Sequence, residues 1–166
     1  MTLVPPLRVL VCVAATAIAA YAGPAPRIVV SPRPVHKGAA RLEKRSREAL
    51  KTAGTALAAA REEYRAGNAD GMVHHARRIE ESIDLAYVSL AETGKNPREE
   101  PKHFKRAEIE IHQLYRRVEF FQTEMAFEDR PSLDGLKARL RQLQDALLHS
   151  LTNGGKMKPV AIASSQ

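Results

Sequence analysis

Between Lys37 and Thr152 the apolar residues recur at steps of three and four, in four blocks separated by turn chemistry. The clearest block carries Phe104, Ala107, Ile111, Leu114, Val118, Phe121 and Met125 without a missed step. A second carries Leu133, Leu136, Leu140, Leu143 and Leu147, and a third Met72, Ala76, Ile79, Ile83, Tyr87 and Leu90. The block nearest the N-terminus is smaller in side-chain volume: Leu42, Ala49, Leu50, Ala53, Leu57, Ala60 and Tyr64. Each is a stripe on one side of a helix, and no useful length alternates with the period of a strand. A stripe left facing water is unstable, so the helices must pack on one another. Short connections make consecutive helices antiparallel. The expectation is an all-α, antiparallel four-helix bundle over residues 37–152.

The breaks have local causes. The first helix, from about Lys37 to Ala66, ends at Gly67-Asn68, residues that tolerate left-handed backbone. The second begins at Ala69 or Asp70, whose carboxylate can cap free amides, and ends at Thr93-Gly94. Asn96-Pro97 turns the chain, and Pro101 suits the first turn of a third helix reaching about Ala126. Asp129-Arg130-Pro131-Ser132 makes the last connection, with Ser132 or Arg130 in the capping slot, before a fourth helix running to about Leu151. The alanine-rich first helix buries little area per residue and is expected to be the weakest partner, the third and fourth supplying most of the burial. Phe120 and Phe127 fall off the stripe and are expected to widen the core, the alternative being a contact surface for a partner. A tetratricopeptide-like unit around Ala60–Ala69 is set aside, because its spacing does not recur at a fixed period.

Outside the bundle the composition changes. Arg8 is followed by an uncharged run from Val9 to Ala22, closing on the small-x-small pattern Ala20-Tyr21-Ala22. This is the layout of a cleavable signal peptide over 1–22. An uncleaved anchor is the alternative, and the run is shorter than the roughly 20 apolar residues that span a bilayer. Residues 23–36 hold Pro24, Pro26, Pro32 and Pro34 and read as a proline-rich linker. Asn153-Gly154-Gly155 opens a loose tail over 153–166. The lone cysteine, Cys12, lies inside the signal segment, so the mature chain has neither a thiolate ligand nor a disulfide. The location implied is periplasmic or secreted, with no transmembrane span after cleavage.

Net charge is +7. Most cations alternate with Glu on helical faces, as on any solvated surface. The exception is Lys37, Arg41, Lys44, Arg45 and Arg47, opposed within that stretch only by Glu43. That stretch reads first as a basic helix entrance that aids solubility, and otherwise as a candidate for binding an anionic envelope surface, a polyanionic polymer or nucleic acid.

Candidate chemistry is sparse. Of the six histidines, His74 and His75 are adjacent, so their side chains diverge by about 100° and do not readily share an ion. Met72 nearby belongs to the buried stripe. Glu108 and His112 stand one turn apart. Glu100-x-x-His103 is a single copy of an element that di-iron bundles use twice, with further inward Glu residues. His74, His75, Glu108 and His112 are therefore the nearest approach to a ligand set, with no metal or other cofactor implied. The haem-attachment signature is absent. Ser46 and Ser82 lack a glycine-flanked elbow, and Gly154-Gly155-Lys156 lacks the strand and helix of a phosphate loop, so no enzyme is indicated. The basic doublets Arg77-Arg78 and Arg116-Arg117, with Arg139 and Arg141, lack stacking aromatics, which argues against nucleic acid.

Ala91-Glu92-Thr93-Gly94-Lys95-Asn96-Pro97, then His103-Phe104-Lys105-Arg106-Ala107-Glu108-Ile109 and Asp129-Arg130-Pro131, resemble uncharacterised secreted helical-bundle proteins of bacteria. The resemblance implies a bundle and an exported location, and no activity. The expected role is a non-enzymatic structural or interaction module of the cell envelope, its partner a protein or an anionic envelope component. The alternatives are a ligand- or metal-binding periplasmic protein and an anionic-surface binder. Produced with its full N-terminus in a bacterial host, the protein should be recovered with Gly23 as its first residue. N-terminal sequencing that instead returns Met1 on a membrane-associated product sinks the signal-peptide reading.

Overall fold

A computed structural model describes residues 35–154 and Met157. The expected signal segment lies outside the described residues, and so does the expected linker except for Val35 and His36, which belong to the first helix instead. The expected tail does too, except for Asn153, which ends the last helix, Gly154 and Met157. Helix α1 spans Val35–Arg65, α2 Ala69–Glu92, α3 Lys102–Glu124 and α4 Asp134–Asn153, with a 3-10 turn at Arg130–Leu133. Among the described residues there is no strand, and no helix is long and apolar enough to cross a membrane. The protein is an all-α four-helix bundle.

The stripes account for the core. All seven stripe residues of α3 region Phe104–Met125, all five of Leu133–Leu147 and all six of Met72–Leu90 are buried. In α1, Ala49, Leu50, Ala53, Leu57 and Ala60 are buried, whereas Leu42 and Tyr64 are half-buried. Ala53 and Ala60 are fully shielded, and they share one core with Ala76 and Ala86 of α2. Small side chains on both helices let α1 and α2 approach more closely than any other pair. Close apposition holds α1 on this side, although Leu50 and Leu57 are its only buried apolar residues larger than alanine among the described residues.

The connections set the topology. Gly67, at φ 77°, ends α1, and Asn68 N–H reaches back to Glu63 O at 2.9 Å in the hydrogen-bond pattern of a left-handed helix stop. Asn68, not Asp70, then caps α2: its Oδ1 accepts from Gly71 N–H at 2.9 Å while its amide donates to Glu63 Oε2 at 2.7 Å. Gly71 makes this possible, since a Cβ there would lie 2.5 Å from the Asn68 amide nitrogen. Gly94, at φ 66°, ends α2, and Asn96 Oδ1 accepts from Arg98 N–H to turn the chain.

Neither Ser132 nor Arg130 caps α4. The Ser132 hydroxyl donates back to Asp129 O at 2.6 Å inside the 3-10 turn, and α4 starts after it. Buried Gln122 of α3 holds this junction by donating to Arg130 O at 2.8 Å and to Asp134 Oδ1 at 2.9 Å.

Consecutive helices run antiparallel, but α2 and α3 stand on a diagonal and touch sparsely. The segment 93–101 crosses one end of the bundle. As a result α1 lies beside and parallel to α3: Glu43 meets His103 near the starts of these helices, and Arg61 meets Glu124 near their ends. Helices α2 and α4 are parallel neighbours as well, joined by Asp84 and Arg139 at 2.8 Å.

Phe120 and Phe127 do not widen the core. They are 58% and 78% exposed: Phe120 falls outside the buried arc of α3, and Phe127 lies beyond the helix end in the turn before Arg130. Arg61 lies over Phe120, with 5.7 Å between guanidinium carbon and ring centroid, and Arg130 over Phe127 at 6.0 Å. The contrast predicts that Leu140→Ala costs about 2–5 kcal/mol in urea unfolding, while Phe127→Ala changes stability by less than about 0.5 kcal/mol. Equal costs would show the assignment of core and surface to be wrong.

Candidate functional site

The first half of α1 presents two opposite faces. Ala39, Glu43, Ser46, Leu50 and Ala53 follow one another at steps of three and four, and all are buried. Arg41, Lys44, Arg45, Arg47 and Lys51 project from the other side and are exposed. At 100° per residue the exposed cations cover an arc of about 160°, with Glu48 the acid among them. The Lys37 side chain lies outside the described residues.

Glu43 therefore does not offset the surface cations. Its carboxylate points inward, with Lys95 Nζ 3.1 Å from Oε1 and His103 Nε2 3.2 Å from Oε2. Lys95, from the segment between α2 and α3, also pairs with Glu100. These bonds raise the Lys95 pKa above its ordinary value near 10.5: the Glu100 carboxylate acts first and Glu43 second, against a smaller effect of burial. The Glu100-x-x-His103 spacing thus serves an ion-pair cluster with a lysine ammonium at its centre. Glu100 precedes the helix and His103 lies in its first turn, so the two face different partners.

The other candidate ligands are dispersed. His74 is exposed and His75 half-buried; their rings meet edge to face with centroids 5.6 Å apart. Glu108 and His112 do share a neighbour, the Gln144 amide of α4, which donates to Glu108 Oε1 at 3.1 Å and lies 3.0 Å from His112 Nδ1. They stand on α3, diagonal to the α2 histidines. Among the described residues no group of three or more His, Cys, Asp or Glu side chains is placed to hold a metal ion. Ser82 bonds back to Arg78 O at 2.7 Å, as a helical hydroxyl does, and Ser46 is buried on the α1 row.

Two further polar ties went unread in the sequence. Arg61 clasps Glu124 through contacts of 2.6 and 2.8 Å, and the Tyr64 hydroxyl donates to Asp129 Oδ2 at 2.9 Å while accepting from Ala126 N–H at 2.8 Å. Between α2 and α4, the Arg139 guanidinium holds Asp84 at the edge of the core. Beside it the Glu80 carboxyl is held above the usual range by burial and then by the Asp84 charge, with Arg139 opposing. These partners are 55 to 65 residues apart in the chain, beyond the reach of local spacing. The one available signal was the gap in the α1 stripe between Leu42 and Ala49, which Glu43 and Ser46 occupy.

Replacing Glu43 by Gln removes a shielded carboxylate from the Lys95 ammonium and the His103 imidazole, and should cost about 1–3 kcal/mol in urea unfolding at neutral pH. Glu48→Gln, which loses only an exposed 3.6 Å pair with Lys44, should cost less than about 0.5 kcal/mol. Because the folded pKa of Lys95 is raised, its share of the stabilisation is complete below the ordinary value of 10.5 and disappears as pH climbs through the raised one. The gap between wild type and Glu43→Gln should therefore narrow in strong alkali. A gap of the same size at every pH, or a Glu48→Gln variant equally destabilised, refutes the assignment.

No family model, curated protein or solved structure matches this chain, so its role rests on the charges and surfaces described above.

Proposed function

We propose that this protein is an exported, non-enzymatic helical interaction module, docking onto anionic components of the cell envelope through the outer face of the first half of α1. One observation carries the reading. Glu43, the acid within the basic run, is turned into the bundle and matched there by Lys95 and His103. The run is consequently more positive toward solvent than its composition indicates: Arg41, Lys44, Arg45 and Arg47 share their surface with Glu48 alone. Side chains fixed on a rigid helix present these charges at constant spacing, which favours an extended anionic surface over a single small anion.

Three of the groups otherwise suited to acid–base or ligand chemistry are engaged structurally. His103 serves Glu43, and Glu108 with His112 shares the Gln144 amide. This favours interaction over catalysis or metal binding. The export half of the proposal rests on the apolar run before Gly23.

The test is co-sedimentation of the purified protein with vesicles containing anionic or only zwitterionic lipid, at low and high salt. Binding should require the anionic lipid and weaken as salt shortens the screening length. Since each cation near such a surface contributes about 1 kcal/mol, the combined Arg41→Ala, Lys44→Ala, Arg45→Ala and Arg47→Ala variant should bind at least about tenfold more weakly. Undiminished binding by that variant removes the basic face from the mechanism.

A further inference from the structure

The parallel packing of α1 against α3 leaves an open groove beside the basic face. Toward its N-terminal end, Lys44, Arg47 and Lys51 of α1 confront Arg106 and Glu110 of α3 across about 520 Å³. It continues past Lys51 and Glu110 into a second hollow of about 350 Å³, where Gly54, Thr55 and Ala58 face Gln113 and Arg117. Gly54 has no side chain to cover this floor, and the Arg117 guanidinium lies over it, with Nη1 3.7 Å from where a Cβ would stand.

The charges along the groove do not cancel. Glu48 is taken up by Lys44 at 3.6 Å and Glu110 by Arg106 at 2.9 Å. Arg47, Lys51 and Arg117 are left without a carboxylate partner among the described residues, a surplus of three positive charges in one concave strip. From Lys44 to Ala58 the α1 wall rises about 21 Å, the span of roughly six residues of extended peptide.

We propose that this groove receives an extended acidic segment of a partner protein. The inference rests on the reading that the module docks through its cationic side, and it names the partner's chemistry. Arg47 and Arg117 offer planar forks for carboxylates, and Lys51 supplies a mobile ammonium between them. Gln113 can pair with a peptide backbone, as can the spare lone pairs of Glu48 and Glu110. Those same two carboxylates repel a polymer charged at every unit, whereas a peptide can place uncharged residues against them. Among the described residues the lining carries no aromatic ring, so nucleic-acid bases find no stacking platform. The apolar side of α1 is spent inside the bundle, which leaves no oily edge to enter a lipid layer at the groove.

The experiment is fluorescence anisotropy of the full chain with a labelled peptide of alternating Glu and Ser, run beside the vesicle assay. The peptide should bind and be released by salt. Lys51→Glu with Arg117→Glu should weaken it at least about tenfold, and Arg41→Glu with Arg45→Glu, outside the groove, less than about threefold. Should the charge-reversed groove variant lose its helical circular-dichroism signal, the Lys51→Gln, Arg117→Gln variant replaces it, with a loss of at least about threefold expected. If the groove variants bind as well as wild type, or both pairs lose equally, the groove is not the site. Failure of the peptide to bind while anionic vesicles do bind overturns this inference and leaves the surface-docking proposal standing. Failure of both probes overturns both.

Discussion

Position 43 lies on the same helical row as Ala39, Ser46, Leu50 and Ala53, and that geometry commits a carboxylate to the interior of the bundle. A charge taken from water must be matched where it ends up. Lys95 and His103 do so from two places that are otherwise remote, the crossing between α2 and α3 and the first turn of α3. The start of α1, the end of α2 and the start of α3 are thereby fastened at one level. The same event empties the outer face of α1 of the acid that sits among its cations. Stability of the bundle end and polarity of the surface thus share one cause.

The packing is uneven for a related reason. Small residues on α1 and α2 make a close pair, while polar ties fasten both ends of α1: Glu43 with His103 and Arg61 with Glu124 of α3, and Tyr64 with Asp129 just beyond it. Between these ties the inward rows of both helices join the common core, and the concave strip lies outside them, where Gly54 and Ala58 present little side chain.

Much of the fold was legible because burial in a helix has a period, and the period survives in a single sequence. Every stripe position from Met72 to Leu90 and from Phe104 to Leu147 is buried. The α1 alanines were legible as inward-facing, though not as the closest seam, because close approach depends on the small residues of α2 as well. Asn68 rather than Asp70 caps α2 because Gly71 clears space for its side chain, a fact of three dimensions. Phe120 and Phe127 are apolar, yet one lies outside the buried arc of α3 and the other beyond the end of that helix. The candidate site was half legible: Arg41, Lys44, Arg45 and Arg47 stood out as a run, but Glu43 looked like their neighbour. Its true partners are brought near only by the diagonal crossing.

That crossing also divides the molecule by chain distance. Each hairpin, α1 with α2 and α3 with α4, closes through a short connection, so its contacts are local and cheap in loop entropy. What remains is the joining of two preformed hairpins. The tether of residues 93–101 makes that joining an intramolecular association, at the high effective concentration that a short linker enforces. Because Lys95 sits within that tether and holds Glu43, the linker also serves as the latch, and lengthening it would loosen both functions at once.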